Sequence, residues 1–100
     1  MSAAPDSELF MARVDALLKE AAPRISPLAA GIVVAADMGI ADSRSFARQL
    51  GIEHALVLRE ISHLSGPDGL VTVTGRHAKS LRTSIALSMR GEMVLRECCV

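Results

Sequence analysis

One hundred residues are the length of one domain, and half of them are apolar, enough for a core. Only Phe10 and Phe46 are aromatic, which excludes a stacking platform for single-stranded nucleic acid. The formal net charge is zero, which excludes strong non-specific attraction of the whole chain to a polyanion.

In chain order, Ser2–Pro5 reads as a frayed end, with residues 1–5 disordered. Asp6 or Ser7 then caps a first helix, with Glu8 in its first turn, where the helix dipole favours an acid. Leu9, Phe10, Val14, Leu17, Leu18 and Ala21 recur along it at helical spacing, and Pro23 ends it. Ser26-Pro27 is a second start, a cap followed by proline at the first helical position. Leu28, Gly31, Ile32, Ala35 and Ala36 continue a helix that is apolar nearly all round and therefore buried, and Gly39 suits its exit. Asp42 or Ser43 caps a short third helix, Arg44–Leu50, which Gly51 breaks. A fourth helix runs from about Glu53 to Leu64, with Val57, Ile61 and Leu64 on its inner face.

The stretch SGPDG at 65–69 is a turn by composition, and LVTVT after it alternates like a strand. GRHAKS reads as a basic loop. In LRTSIALS, Leu81, Thr83, Ile85 and Leu87 share one face of a returning strand. Met89–Cys98 predicts a short last helix with Met93 and Val94 inward, although Gly91 interrupts the pattern. The expectation is a single α+β domain: four helices, a two-stranded hairpin and a short C-terminal helix.

The charge is uneven. Residues 1–41 carry five acids against three bases, whereas Asp68 to Glu92 encloses no acid and contains Arg76, Lys79, Arg82 and Arg90. A neutral chain with one basic segment can still meet a polyanion through that segment.

Two helices joined by a tight turn need a small residue inside the first and a residue tolerant of positive φ at the corner. Ala47 and Gly51 have those places, and Phe46, Leu50 and Ile52 supply apolar contacts around them. With a hairpin directly after, the pattern is that of a winged helix-turn-helix. From Leu28 to about Leu95 the chain resembles the MarR-like transcription regulators, on FARQLGI, on DGLVTVT leading into the hairpin, and on IALSMRGEMVL. The last stretch is similar to the family's second wing strand through Leu87, Ser88 and Gly91.

The resemblance implies a homodimer, paired through its first and last helices, on double-stranded DNA. The second helix of the motif would lie in the major groove and the hairpin tip would reach the minor groove. Carried over residue by residue, His54, Ala55, Leu58, Arg59 and Ser62 would face bases. Arg44, Arg48 and the amides near Ser43 would face phosphates, and Arg76, Lys79 and Arg82 would form the wing contacts. The chain departs from the family at several of these places. Lys79 and Leu81 stand where family members carry an aspartate and an arginine that hold the wing. Glu53 begins the reading helix with an acid, Glu60 replaces an apolar residue, and Leu56 and Leu58 replace polar ones. These substitutions define a rival expectation, a winged-helix module that docks a protein through Leu56 and Leu58.

Other chemistries find no pattern. His54, His63, His77, Cys98 and Cys99 lack metal-ligand spacing, and neither a cofactor nor an enzyme activity is expected. Adjacent cysteines do not pair without strain, so a reducing compartment is expected. The apolar run Leu28–Ala36 is too short to span a bilayer, and no secretory leader is recognisable. A cytoplasmic protein is expected, and the excess of arginine over lysine with abundant alanine points to a bacterial source.

Overall fold

The α2 helix (Pro27–Asp37) organises the fold, and its sequence explains why. Ser26, in extended conformation, accepts the Ala29 N–H at 3.0 Å, and Pro27 follows in a position where a missing N–H costs nothing. Every residue from Ala29 to Ala35 is buried. Around it in the computed structural model, which describes residues 3–21 and 25–98, stand α1 (Ala3–Ala21), α3 (Ser43–Leu50), α4 (His54–Leu64) and α5 (Met89–Cys98). The hairpin of β1 (Val71–His77) and β2 (Arg82–Leu87) lies between α4 and α5 in sequence, with β2 against α2 and α3. Five helices followed and interrupted by one antiparallel hairpin give the α+β class and the winged-helix layout expected from the sequence.

One continuous core joins Val14 and Leu17 of α1, Ile32 to Val34 of α2, Phe46, Val57 and Ile61, Ile85 and Leu95. Phe46 is fully buried, and Phe10 and Leu50 pack over Gly31 at ordinary contact distance. The helix-turn-helix corner is as expected. Gly51 sits at φ 68 with its N–H on the Ala47 carbonyl, and the Ile52 N–H reaches the same oxygen at 3.1 Å.

Four expectations need correction. First, α1 begins at Ala3, so Asp6 and Ser7 lie inside it rather than capping it. Pro5 falls in its first turn, where proline is tolerated. Met1, Ser2 and Pro23 lie outside the described residues. Second, α3 starts at Ser43 rather than Arg44; of the two caps expected for it Asp42 serves, accepting the Ser45 N–H at 3.1 Å. Third, GRHAKS is not all loop. A bulge at Thr74 shifts the register, after which Gly75, Arg76 and His77 pair with Ser84, Thr83 and Arg82. The turn is only Ala78–Leu81, and Leu81 leaves the inner face to sit exposed at φ 59. That region costs an L-residue about 1–2 kcal/mol, so the tip carries backbone strain.

Fourth, Met93 points outward and is 50 % exposed, while Leu95 is the buried anchor of α5. Gly91 causes this. A β-carbon there would stand 2.1 Å from the Leu70 carbonyl oxygen, so α5 turns its bare edge to β1 and Leu95, one turn on, follows it inward. Ser88 secures the approach. Its hydroxyl donates to the Gly69 carbonyl at 2.7 Å and accepts the Gly91 N–H at 3.0 Å.

Replacing Gly91 by alanine should therefore destabilise the fold by about 1–3 kcal/mol, because backbone rather than a flexible side chain meets the new methyl. Gly75→Ala, with no atom within 4 Å of the new carbon, is the control. Urea unfolding followed by circular dichroism measures both; equal midpoints for the two variants would refute the close-approach account.

Candidate nucleic-acid interface

Helix α4 divides its residues cleanly. Val57, Ile61 and Leu64 are buried, and Ala55, Leu56, Arg59, Ser62 and His63 are exposed. Arg59 and Ser62, three apart, share a face with Ala55. Leu58 turns sideways. With Ile61 and Ser62 it lines one wall of a groove of about 360 Å³ whose other wall is the wing residues Arg76, His77, Ala78, Leu81 and Thr83. Glu60 turns to the other flank, where the Ser26 hydroxyl donates to its Oε1 at 3.4 Å near the start of α2. Two departures from the resemblance thus have structural reasons: Leu58 faces the wing, and Glu60 faces the positive end of a helix.

The wing is tied to the helix-turn-helix by polar contacts. The Arg44 guanidinium donates to the Ser80 carbonyl at 2.8 Å. Ser80 also meets His77 Nδ1 through its hydroxyl at 3.0 Å, which closes the tip on itself. Arg82 Nε lies 3.5 Å from an Asp42 carboxylate oxygen. The segment before α3 adds a bridge to β2, with Asp42 opposite Ser84 and the Ile85 N–H on the Ala41 carbonyl at 2.8 Å.

Ser43 is the deepest of these ties. It is wholly buried, stands 2.7 Å from His54 Nε2, and accepts the Thr83 N–H at 2.9 Å. Its side chain is therefore not open to a phosphate, and the N-terminus of α3 already holds the Asp42 carboxylate. The expected phosphate contact at Ser43 is corrected to a structural one. His54 is half-buried in the same joint. Arg48, Arg59, Ser62, Arg76, Lys79 and Arg82 are exposed, as are Arg44 and Ala55.

The electrostatics follow from these contacts. Burial would raise the Asp42 carboxyl, but the Ser45 hydroxyl and amide, the Arg82 guanidinium and the Arg44 amide together hold it below its ordinary value. Burial, then the charge of Arg44, pushes the His54 imidazole below its ordinary value, with Asp42 opposing. The two acids on this side are thus Asp42, occupied by its donors, and Glu53, exposed and without a capping bond. Six bases, Arg44, Arg48, Arg59, Arg76, Lys79 and Arg82, stand around α3, α4 and the hairpin.

The ties at Ser43, Asp42 and Ser80 join residues about forty positions apart, and no local pattern announces them. Among the described residues there is no group of three or more His, Cys, Asp or Glu placed to hold a metal ion, and no helix is long and apolar enough to cross a membrane. In comparisons with protein-family models, curated proteins and solved structures, nothing matches this chain.

Asp42 should carry charge-dependent stability. Its folded pKa is depressed, so its contribution is complete above about pH 4 and lost as the pH falls through the folded value. Asp42→Ala should cost about 1–2 kcal/mol near neutrality. The gap to the parent should narrow towards about pH 3 in urea titrations, and a gap that widens on acidification would contradict the assignment.

Proposed function

We propose that this chain is a sequence-specific, double-stranded-DNA-binding transcription regulator of the MarR-like kind, acting as a homodimer in a bacterial cytoplasm. The observation that carries the reading is the joint surface of α4 and the wing. Arg59 and Ser62 are exposed on the helix that the corner at Gly51 presents, and Arg76 and Lys79 are exposed on the hairpin beside it. The local acid Glu60 is turned to the opposite flank and Asp42 is engaged with Ser45 and Arg82. In this reading α4 enters the major groove, where a helix fits, and Arg59 supplies the bidentate donor for a base edge. Ser62 is the accompanying polar contact, and His54, half-buried with Nε2 on Ser43, has its Nδ1 edge left for another. Arg44 and Arg48 approach the backbone, and Arg76, Lys79 and Arg82 follow the hairpin to the adjacent groove.

The homodimer reading is supported by α5. Met89 and Met93 are 79 % and 50 % exposed on the side opposite Gly91 and Leu95. Arg90 and Glu97 flank that stripe on one side, and Glu92 and Arg96 flank it on the other. An antiparallel second copy would set Arg90 against Glu97 and Glu92 against Arg96 across the seam, each twice by symmetry. A two-fold dimer is also what presents two reading helices to half-sites one turn apart.

A second reading has its own support. Leu56 is 42 % exposed on α4 and Leu81 is 60 % exposed at the wing tip, which suits a protein-docking module. Salt dependence separates the two. Fluorescently labelled duplex DNA should bind at low salt and lose affinity steeply as salt rises, and the double change Arg76→Ala, Lys79→Ala should flatten that log–log slope by about 1.8. No binding at low salt, or a slope indifferent to those changes, favours the docking module. For the dimer, light scattering should give twice the chain mass. Arg90→Glu should lower it and Arg90→Glu with Glu97→Arg should restore it; a single-chain mass for the parent protein ends the dimer reading.

A further inference from the structure

The joint at Ser43 has a donor–acceptor balance that depends on one proton. A hydroxyl gives one hydrogen and receives through its lone pairs. Ser43 receives the Thr83 N–H at 2.9 Å and stands 2.7 Å from His54 Nε2, the one partner in reach for its own hydrogen among the described contacts. Ser43 has no exposed surface, so water is not its partner. The arrangement is satisfied when Nε2 is bare, which puts the ring proton of neutral His54 on Nδ1. A proton on Nε2 would leave three donors, Nε2–H, the hydroxyl and the Thr83 N–H, around one acceptor oxygen. The oxygen's two lone pairs would have to serve both N–H groups while the hydroxyl hydrogen, turned away from Nε2, is left without an acceptor, which weakens the joint at Thr83.

We propose that the Ser43 hydroxyl is a proton-operated latch, closed by neutral His54 so that β2 is held against α3 and α4 at Thr83, and opened when His54 takes up a proton so that this tie of the wing is loosened. The latch joins the first residue of α3, the first residue of α4 and the second residue of β2, so one atom links the wing to both helices of the corner. The charged groups around the ring are Arg44 of α3, Asp42 before α3 with Arg82 of β2 beside it, and Glu53 next in sequence. Arg44 disfavours a second positive charge, and Asp42, which would favour it, is already engaged by Ser45 and Arg82. Burial acts in the same direction as Arg44. Because folding lowers the imidazole's affinity for a proton, the stabilisation from the closed latch is complete above about pH 6.5 and is lost as the pH falls through the lower folded value.

The latch is independent of whether the chain meets DNA, and its test uses the free protein. Amide hydrogen exchange at Thr83, corrected for the intrinsic rate, is compared with Ile85, whose N–H goes to the Ala41 carbonyl rather than to the latch. Between about pH 7.5 and about pH 5, protection at Thr83 relative to Ile85 should fall at least about tenfold. His54→Gln keeps an acceptor at that reach without titrating, so its ratio should stay level over the same range. Ser43→Ala should show low Thr83 protection at both pH values, and if it does not fold, His54→Gln alone carries the comparison. Nitrogen-15 shifts of His54 near neutrality should identify Nε2 as the unprotonated nitrogen. The latch is overturned by a proton on Nε2 at neutral pH, by a Thr83 ratio that does not change with pH, or by a His54→Gln variant that falls as the parent does.

Discussion

The fold depends on close approach of backbones. With two aromatic residues in the chain, the core cannot be filled by large rings, so elements must come near enough for small side chains to touch. Helix α2 makes this possible, because Ala29, Ala30, Gly31 and Ala35 are all buried among its neighbours. Phe10 and a leucine of α3 pack over Gly31 at ordinary contact distance, and Gly91 admits the carbonyl of Leu70. Each of these contacts positions something functional in turn. The seat of α3 on α2 aims the corner at Gly51, and the seat of α5 on the start of β1 fixes the root of the hairpin.

The second level of organisation is polar. A hairpin joined to the body only at its root would swing, and the strain at Leu81 gives its tip no stability of its own. Here the hairpin is fastened along its length: at Ser84 and Ile85 by the strand-like segment before α3, at Thr83 by Ser43, at Arg82 by Asp42, and at Ser80 by Arg44. Three of these ties come from residues 42–44, the cap and first turn of α3. That short stretch is what holds the hairpin to the helix-turn-helix in this chain.

What could be read from the sequence follows the same division. Helical spacing, Ser26-Pro27, Gly51 and the alternation in LVTVT are local signals, and each marked its element correctly. Met93 misled because its spacing fits an inward face, whereas the rotation of α5 is set by a contact between Gly91 and residue 70. Ser43 misled for the converse reason. A serine at a helix start is an ordinary phosphate contact, and its burial depends on β2 arriving from forty residues away. Strand β1 outlasted its expected end because a bulge at Thr74 lets a basic stretch continue to pair. The helix-turn-helix and hairpin were legible; the joint between them was not.

That joint also bears on which side chains can act. Glu60 looks like an obstacle to a polyanion until its direction is known, and it points to the start of α2. Leu58 looks like a docking residue, yet it forms a wall of the groove under the wing and is only half-exposed. The features that favour a protein partner thus reduce to Leu56, Leu81 and Glu53, which lie apart along the helix and the turn. Arg76 lines the groove between α4 and the wing, Arg59, Lys79 and Arg82 are exposed on the same two elements, and Asp42 is held by its own donors. Exposed Arg59, Arg76, Lys79 and Arg82 make this side of the molecule suit an anionic partner better than a cationic one.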